Sequence, residues 1–134
     1  MIAFDVLGIP APQGSKRGIV VGGKAVLVES SAKVKPWRSD VRDAAQAAHD
    51  GTPLAGPLLV EIEFRLPRPK SLSAKASLMH SKRPDLDKLI RSTLDALKSA
   101  GVYGDDSQVC SIHARKRYPV PGYPTGAHIR VSVL

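Results

Sequence analysis

The chain opens on an alternation. Ile2, Phe4 and Val6 take one side of residues 1–7, a period of two that predicts a strand. The segment Gly8-Ile9-Pro10-Ala11-Pro12-Gln13-Gly14-Ser15 then ends it and closes on Lys16 and Arg17. Its prolines and glycines predict a loop. Two apolar runs, Ile19-Val20-Val21 and Ala25-Val26-Leu27-Val28, flank Gly22-Gly23. Glycine tolerates the positive φ of a tight turn, so 18–28 is predicted to be a hairpin.

The period then lengthens. Trp37, Val41, Ala44, Ala45 and Ala48 recur at helical spacing. Ser30 and Ser31 are candidate caps, Pro36 suits a first turn and Gly51 a stop, which predicts a helix over 36–49. Trp37 is expected to anchor the core. Residues 58–66 alternate again, with Val60, Ile62 and Phe64 opposite Leu59, Glu61 and Glu63. A half-buried strand follows, with Glu61 and Glu63 on one face with Arg65, which predicts a solvent face with charge pairing.

Residues 67–83 have no period. Arg68, Lys70, Lys75, Lys82 and Arg83 are spread through them with no acid between, which predicts a mobile basic loop. Leu86, Leu89, Ile90, Leu94 and Leu97 then form an apolar stripe. A helix is predicted over 86–100, stopped by Gly101. Asp87, Arg91, Asp95 and Lys98 share its polar face, where ion pairs of roughly 0.2–0.5 kcal/mol each would suffice to explain them. Residues 109–117 predict a strand with Cys110, Ile112 and Ala114 on one face. After a turn-rich link, 127–134 predicts a last strand with Ile129, Val131 and Val133 inside. The order is strand, hairpin, helix, strand, helix, strand, strand.

Length and charge narrow the picture. One hundred and thirty-four residues with neither repeat nor linker predict a single domain, 1–134. A net charge of +8 and a pI near 9.9 point to a polyanionic partner. Aromatics are only 4% of residues, so stacking platforms are not the obvious binding mode. Cys110 is the single cysteine, which excludes an internal disulfide and suits a reducing compartment. No signal-peptide pattern opens the chain and no apolar run approaches a membrane span, so a cytoplasmic location is expected.

Against this basic background the acids stand out. Asp85 and Asp87 lie two apart where the central helix begins, and Asp105 and Asp106 lie side by side beyond its end. Taken singly, a cap, a dipole partner and a turn explain them. Taken together, they suggest carboxylates around a hard divalent metal beside a phosphate backbone. Magnesium prefers oxygen ligands and is commonly held by one or two carboxylates with phosphate oxygens. A helix of this length separates its ends by roughly 22 Å, and the six residues from Gly101 to Asp106 reach back at most about 20 Å. Convergence within one chain is therefore tight, and a tilt of the helix or a site shared across a dimer would ease it. His49, His80, His113 and His128 lack zinc-ligand spacing.

Asp85-Leu86-Asp87-Lys88-Leu89, Asp95-Ala96-Leu97, Gly101 and Asp105-Asp106-Ser107-Gln108-Val109 resemble the RusA family of Holliday junction resolvases. Ser31-Ala32, Trp37-Arg38, the early proline-rich loop and the basic loop before Asp85 fit as well. The resemblance implies a compact α+β domain with a mixed β-sheet and two main helices. It implies a small homodimeric endonuclease, often carried by prophages, that cuts four-way DNA junctions with Mg²⁺, for which Mn²⁺ may stand in. By the match Asp85, Asp87 and Asp106 would be catalytic metal ligands. The family commonly has asparagine at the position of Lys88 and an essential lysine at that of Arg91. Arginine keeps the charge but cannot give up its proton, so Arg91 can serve if the lysine's role is electrostatic and cannot if that role is proton transfer.

Lys16, Arg17, Arg68, Lys70, Lys82, Arg83 and Lys88 are the expected DNA contacts. The leading expectation is a crossover junction endodeoxyribonuclease acting in recombination and repair. The alternative is a non-catalytic branched-DNA or RNA binding module whose acids only cap and turn. A nucleotide-sugar transferase with a D-x-D motif is disfavoured by the short chain and the lack of a nucleotide-binding pattern.

Overall fold

A strand whose alternate side chains are apolar needs a cover on one face only, and two amphipathic helices supply it here. The computed structural model describes residues 1–14, 16–29, 32–73 and 76–134, with backbone alone for 16–19 and 26–29. The strands are β1 (Ile2–Leu7), β2 (Lys16–Val21), β3 (Lys24–Glu29), β4 (Leu58–Arg65), β5 (Val109–Arg117) and β6 (Gly126–Val133). The helices are α1 (Val34–Ala48) and α2 (Leu86–Ser99), with a short 3-10 turn at Asp106–Gln108. The predicted order of elements is the observed one. Ser30, Ser31 and Lys75 lie outside the described residues, as do the side chains of Lys16 and Arg17.

Four strands form a mixed sheet in the order β1-β6-β4-β5, and β2 and β3 form a separate hairpin. β6 is antiparallel to both β1 and β4, while β5 is parallel to β4. The parallel pair is joined through α2, the usual solution for a crossover. Both helices cover one face. Trp37, Val41 and Ala45 of α1 and Leu89, Ala96 and Leu97 of α2 join Phe4, Val60, Ile62, Phe64, Ile129 and Val131 in one core. The other face is charged. Glu63 meets Arg115 at 2.8 Å and Arg117 at 3.3 Å, and Glu61 meets Arg130 at 3.9 Å. The two glutamates pair on the solvent face as expected, but not with Arg65, which is buried and pairs with Asp5 at 3.1 Å.

Several local readings are corrected. Lys16 and Arg17 belong to β2, paired opposite Glu29 and Val28, rather than to the preceding loop. The apolar stripe of α2 is turned: Ser92 and Thr93 are fully buried, while Leu86, Ile90 and Leu94 are half-buried beside them. In β5 the register shifts, Leu58 facing Val109 but Leu59 facing Ser111. Cys110 is the extra residue, so Val109 packs on the core although strict alternation put it outside. Val133 lies at the sheet's end and is 49% exposed.

Gly126 begins β6 at φ +148, where a Cβ would lie 1.8 Å from the Val6 carbonyl oxygen. That neighbour is backbone and cannot turn aside. Gly126→Ala is expected to cost about 2–3 kcal/mol of stability, measured by urea denaturation of the purified chain.

Candidate nuclease site

The end of β4 and the start of α2 enclose the candidate site. β4 leaves the sheet at Leu66, whose amide donates to the Arg117 carbonyl at 2.9 Å. The chain then crosses 67–84 and enters α2. This is the carboxyl end of the parallel pair, where crossover folds commonly leave a crevice. A cleft of about 750 Å³ opens there. The β1–β2 loop supplies Ile9, Pro10 and Pro12, the segment after β4 supplies Pro67, Pro69 and His80, and α2 supplies Asp85 and Lys88. Lys33, Lys82 and Arg83 complete a cationic rim.

Hydrogen bonds fix those walls. Gln13 donates its amide to the Lys88 carbonyl at 3.0 Å, and Ser92 Oγ donates to the Ala11 carbonyl at 2.7 Å. The side chain of Gln13 bridges α2 and α1, donating to Asp95 and accepting from Arg38 at 3.0 Å. Asp95 is thus occupied by the loop rather than by a helix-surface ion pair. On the opposite wall, Lys116 Nζ donates to the carbonyls of Lys82 and Pro84 at 2.7 and 2.8 Å. His80 N and Tyr118 N donate to Lys116 O and Leu78 O, so residues 78–80 are laced to the edge of β5. Arg68 donates to the Ser73 carbonyl and lies over the Tyr118 ring at 5.7 Å. It supports the wall of the cleft, while Lys70, Lys82 and Arg83 are exposed.

Lys116, Gln13 and Lys33 did not emerge from the sequence. Lys116 falls on an alternating strand, where a charge reads as a solvent-facing residue, and nothing local marks the two carbonyls it reaches.

The acids differ in what they do. Asp85 occupies the N-cap of α2, yet its side chain makes no capping hydrogen bond. Its carboxylate lies 3.8 Å from Lys88 Nζ and remains 60% exposed. Asp87 stands in the first turn, where the helix dipole favours a negative charge. Asp105 is used structurally. It caps the 3-10 turn by accepting from Ser107 N at 2.9 Å, while Gln108 reaches back to Asp105 N. The hydrogen bonds from Ser107 hold its carboxyl below the usual range. Asp106 makes no such cap and lies near the Tyr103 hydroxyl, which donates to the Leu94 carbonyl at 2.8 Å. Burial, Asp106 and Asp95 together push the Tyr103 phenol up.

These contacts place Asp106 level with Leu94. At 1.5 Å per residue that point is about 10 Å along the axis from Asp87 and about 13 Å from Asp85. Carboxylates bound to one magnesium at about 2.1 Å must be much closer together. Consistently, no three acidic, histidine or cysteine side chains among the described residues are grouped to hold a metal ion. One chain therefore brings Asp85 and Asp87 to the same helix start and leaves Asp106 farther along it. The pair Asp85 and Asp87 suits a hard divalent cation by donor type, because its carboxylates are all-oxygen and Asp85 is spared from capping. Arg91 is exposed and lies against Gly14, where an added Cβ would meet its Nη1 at 2.3 Å.

Residues 9–132 match the family described as Endodeoxyribonuclease RusA. The chain belongs to this family. RusA nucleases resolve Holliday junctions and depend in general on divalent metals. The chain is also similar to the "Uncharacterized protein YqaN" of Bacillus subtilis (strain 168), 32% identical over 126 residues, 87% of each chain. The α+β domain, with two helices on a mixed sheet, accords with a RusA-like fold. No helix among the described residues is long and apolar enough to cross a membrane.

His80 gives the cleft a measurable signature. Burial first, then the charges of Lys116 and Lys82, lower its pKa below the ordinary 6.5. The unfolded chain then binds the proton more readily than the folded one, so stability is full above about pH 6.5 and declines as the pH falls below it. His80→Gln is expected to flatten that acid decline, read as thermal midpoint against pH between about 5 and 7.5.

Proposed function

We propose that this chain is a Mg²⁺-dependent, structure-selective endodeoxyribonuclease that cuts four-way junctions as a homodimer, with Mn²⁺ as a substitute metal. The observation that carries this reading is Asp85, an N-cap residue whose carboxylate does not cap but faces a cleft rimmed by Lys33, Lys82, Arg83 and Lys88. An acid serving structure alone would take the orphan amides of its helix, as Asp105 does in the turn beyond. This difference argues against a binding module whose acids only cap.

Asp85, Asp87 and Asp106 are the proposed metal-holding carboxylates. The bound metal would polarise the scissile phosphoryl group and make water a nucleophile at neutral pH. Lys82, Arg83 and Lys88 would draw the phosphate backbone over the cleft. Arg91, fixed in charge, would neutralise charge gathering on the phosphate in the transition state. Lys16 and Arg17 are proposed DNA contacts by their charge alone, exposed Lys70 extends the proposed surface, and Arg68 contributes by supporting it.

The separation along α2 also favours a shared site. Two copies related by a two-fold axis, with their α2 helices antiparallel, would bring Asp85 and Asp87 of one chain toward Asp106 of the other. Closed two-fold symmetry repeats that pairing and yields two sites, as paired incisions in a two-fold junction require.

Asp85→Asn, Asp87→Asn and Asp106→Asn are each expected to lower cleavage of a synthetic four-way junction at least about 100-fold while binding persists. Asp105→Asn should stay within a few-fold of wild type, because an asparagine side chain can still cap the turn. Mixing Asp85→Asn with Asp106→Asn chains should restore incision in the mixed dimer, since one of its two sites is then intact. Failure of that mixture to cut would put the three acids in one chain's site or none. Wild-type protein that binds the junction but never cuts it with Mg²⁺ or Mn²⁺ would establish the binding module instead.

Phosphate contacts make affinity fall with salt. Replacing Lys82 and Arg83 with Ala should reduce the slope of log affinity against log salt by about 2, with little change in the thermal midpoint. An unchanged slope, read by titration between about 50 and 200 mM salt, would remove these residues from the interface.

A further inference from the structure

The proposed phosphate path explains the cations of the cleft but not its interior. Ile9, Pro10, Pro12, Leu66, Pro67 and Pro69 line it among the charged groups, Pro10 and Leu66 buried at its floor and Ile9, Pro67 and Pro69 exposed at its mouth. A surface made only to track a backbone has no use for a recess of about 750 Å³. Small-molecule pockets of roughly 300–1,000 Å³ take ligands of nucleotide size, with apolar walls and a few placed polar groups. Apolar walls among lysine and arginine side chains complement a nucleotide, whose base is flat and weakly polar and whose phosphate is anionic. The walls are also braced. Tyr118 closes the back with its ring tilted against His80 at 5.0 Å, and Lys116 ties down the strand of chain that carries Lys82 to Pro84.

Resting on the nuclease reading above, we propose that this cleft houses one unstacked nucleobase at the branch point, beside the phosphate to be cut. A base inside continuous duplex is held by its pairing partner and two stacking neighbours, and extruding it costs a few kcal/mol. At a branch point the stack is interrupted, and that cost falls. The cleft thereby discriminates junction from linear DNA without reading base edges. It places the sugar-phosphate of the extruded nucleotide against Asp85 and Lys88, which share the rim of the same cleft.

Ile9 is the residue to change, because it lines the cleft yet is 49% exposed on a loop. Ile9→Trp fills the recess without touching the acids. With the full chain and Mg²⁺, the variant should cut an intact four-way junction at least about 10-fold more slowly than wild type. A junction that lacks the base at the nucleotide beside the scissile phosphate has nothing to insert, and both proteins should cut it at equal rates. Equal slowing on both junctions, or no slowing on either, overturns the proposal. A second readout needs no variant: 2-aminopurine at that nucleotide should brighten several-fold when wild-type protein binds the junction in Ca²⁺. Unchanged fluorescence with normal Mg²⁺ cleavage overturns the base pocket and leaves the nuclease standing. Wild type that cuts neither junction overturns both.

Discussion

The fixing of α2 against α1 and the β1–β2 loop is the constraint from which the site follows. Two buried hydroxyls in the middle of the helix do this work. Trp37 Nε1 donates to Thr93 Oγ1 at 3.2 Å, and Ser92 Oγ donates to the Ala11 carbonyl. Buried polar atoms left without partners are costly, so these bonds specify one depth and one rotation for α2. Small side chains at 92, 93 and 96 also let the neighbouring elements approach closely. With the helix fixed, Asp85 opens on the cleft at the carboxyl end of the β4–β5 pair, and Asp87 follows in the first turn. Asp106 must then stand beside the helix farther along.

Charge distribution follows from that placement. A basic chain can keep exposed carboxylates where a helix dipole and nearby cations favour them, and both apply at Asp85. The neighbouring aspartates beyond α2 divide the labour: Asp105 is consumed by the turn it caps, and Asp106 keeps its carboxylate apart from that cap. The same turn anchors itself to the rest of the fold, because Gln108 donates to the carbonyls of Leu54 and Gly56. Position in a motif does not separate the two acids; their hydrogen bonds do.

Membership of the RusA family and the spacing of acids along α2 bear on each other. A reaction on a two-fold junction favours a two-fold protein, and two antiparallel copies of one helix are a simple means of joining acids that one chain holds apart. In that proposal the length of α2 sets the separation that the partner must bridge. The proposed base pocket would then add shape to charge, its apolar lining distinguishing a nucleotide freed from the stack from one held within it.

The sequence by itself determined the order of the elements and the families of residues that face inward. Period two and period 3.6 are local properties, and Gly22-Gly23 and Gly101 mark their ends through the positive φ that each adopts. It also presented the D-x-D and D-D pairs, whose spacing carries the family resemblance. Only the tertiary structure decided that Ser92 and Thr93 face the core, since their partners Ala11 and Trp37 are remote in sequence. The register shift at Cys110 likewise depends on how β4 pairs with β5. The cleft's walls come from segments far apart in the chain, and Lys116, beside Tyr118, ties β5 to the segment before α2 by reaching carbonyls over thirty residues away. A pattern along the chain carries no distance between such segments; that distance exists only once the sheet is assembled and α2 is seated upon it.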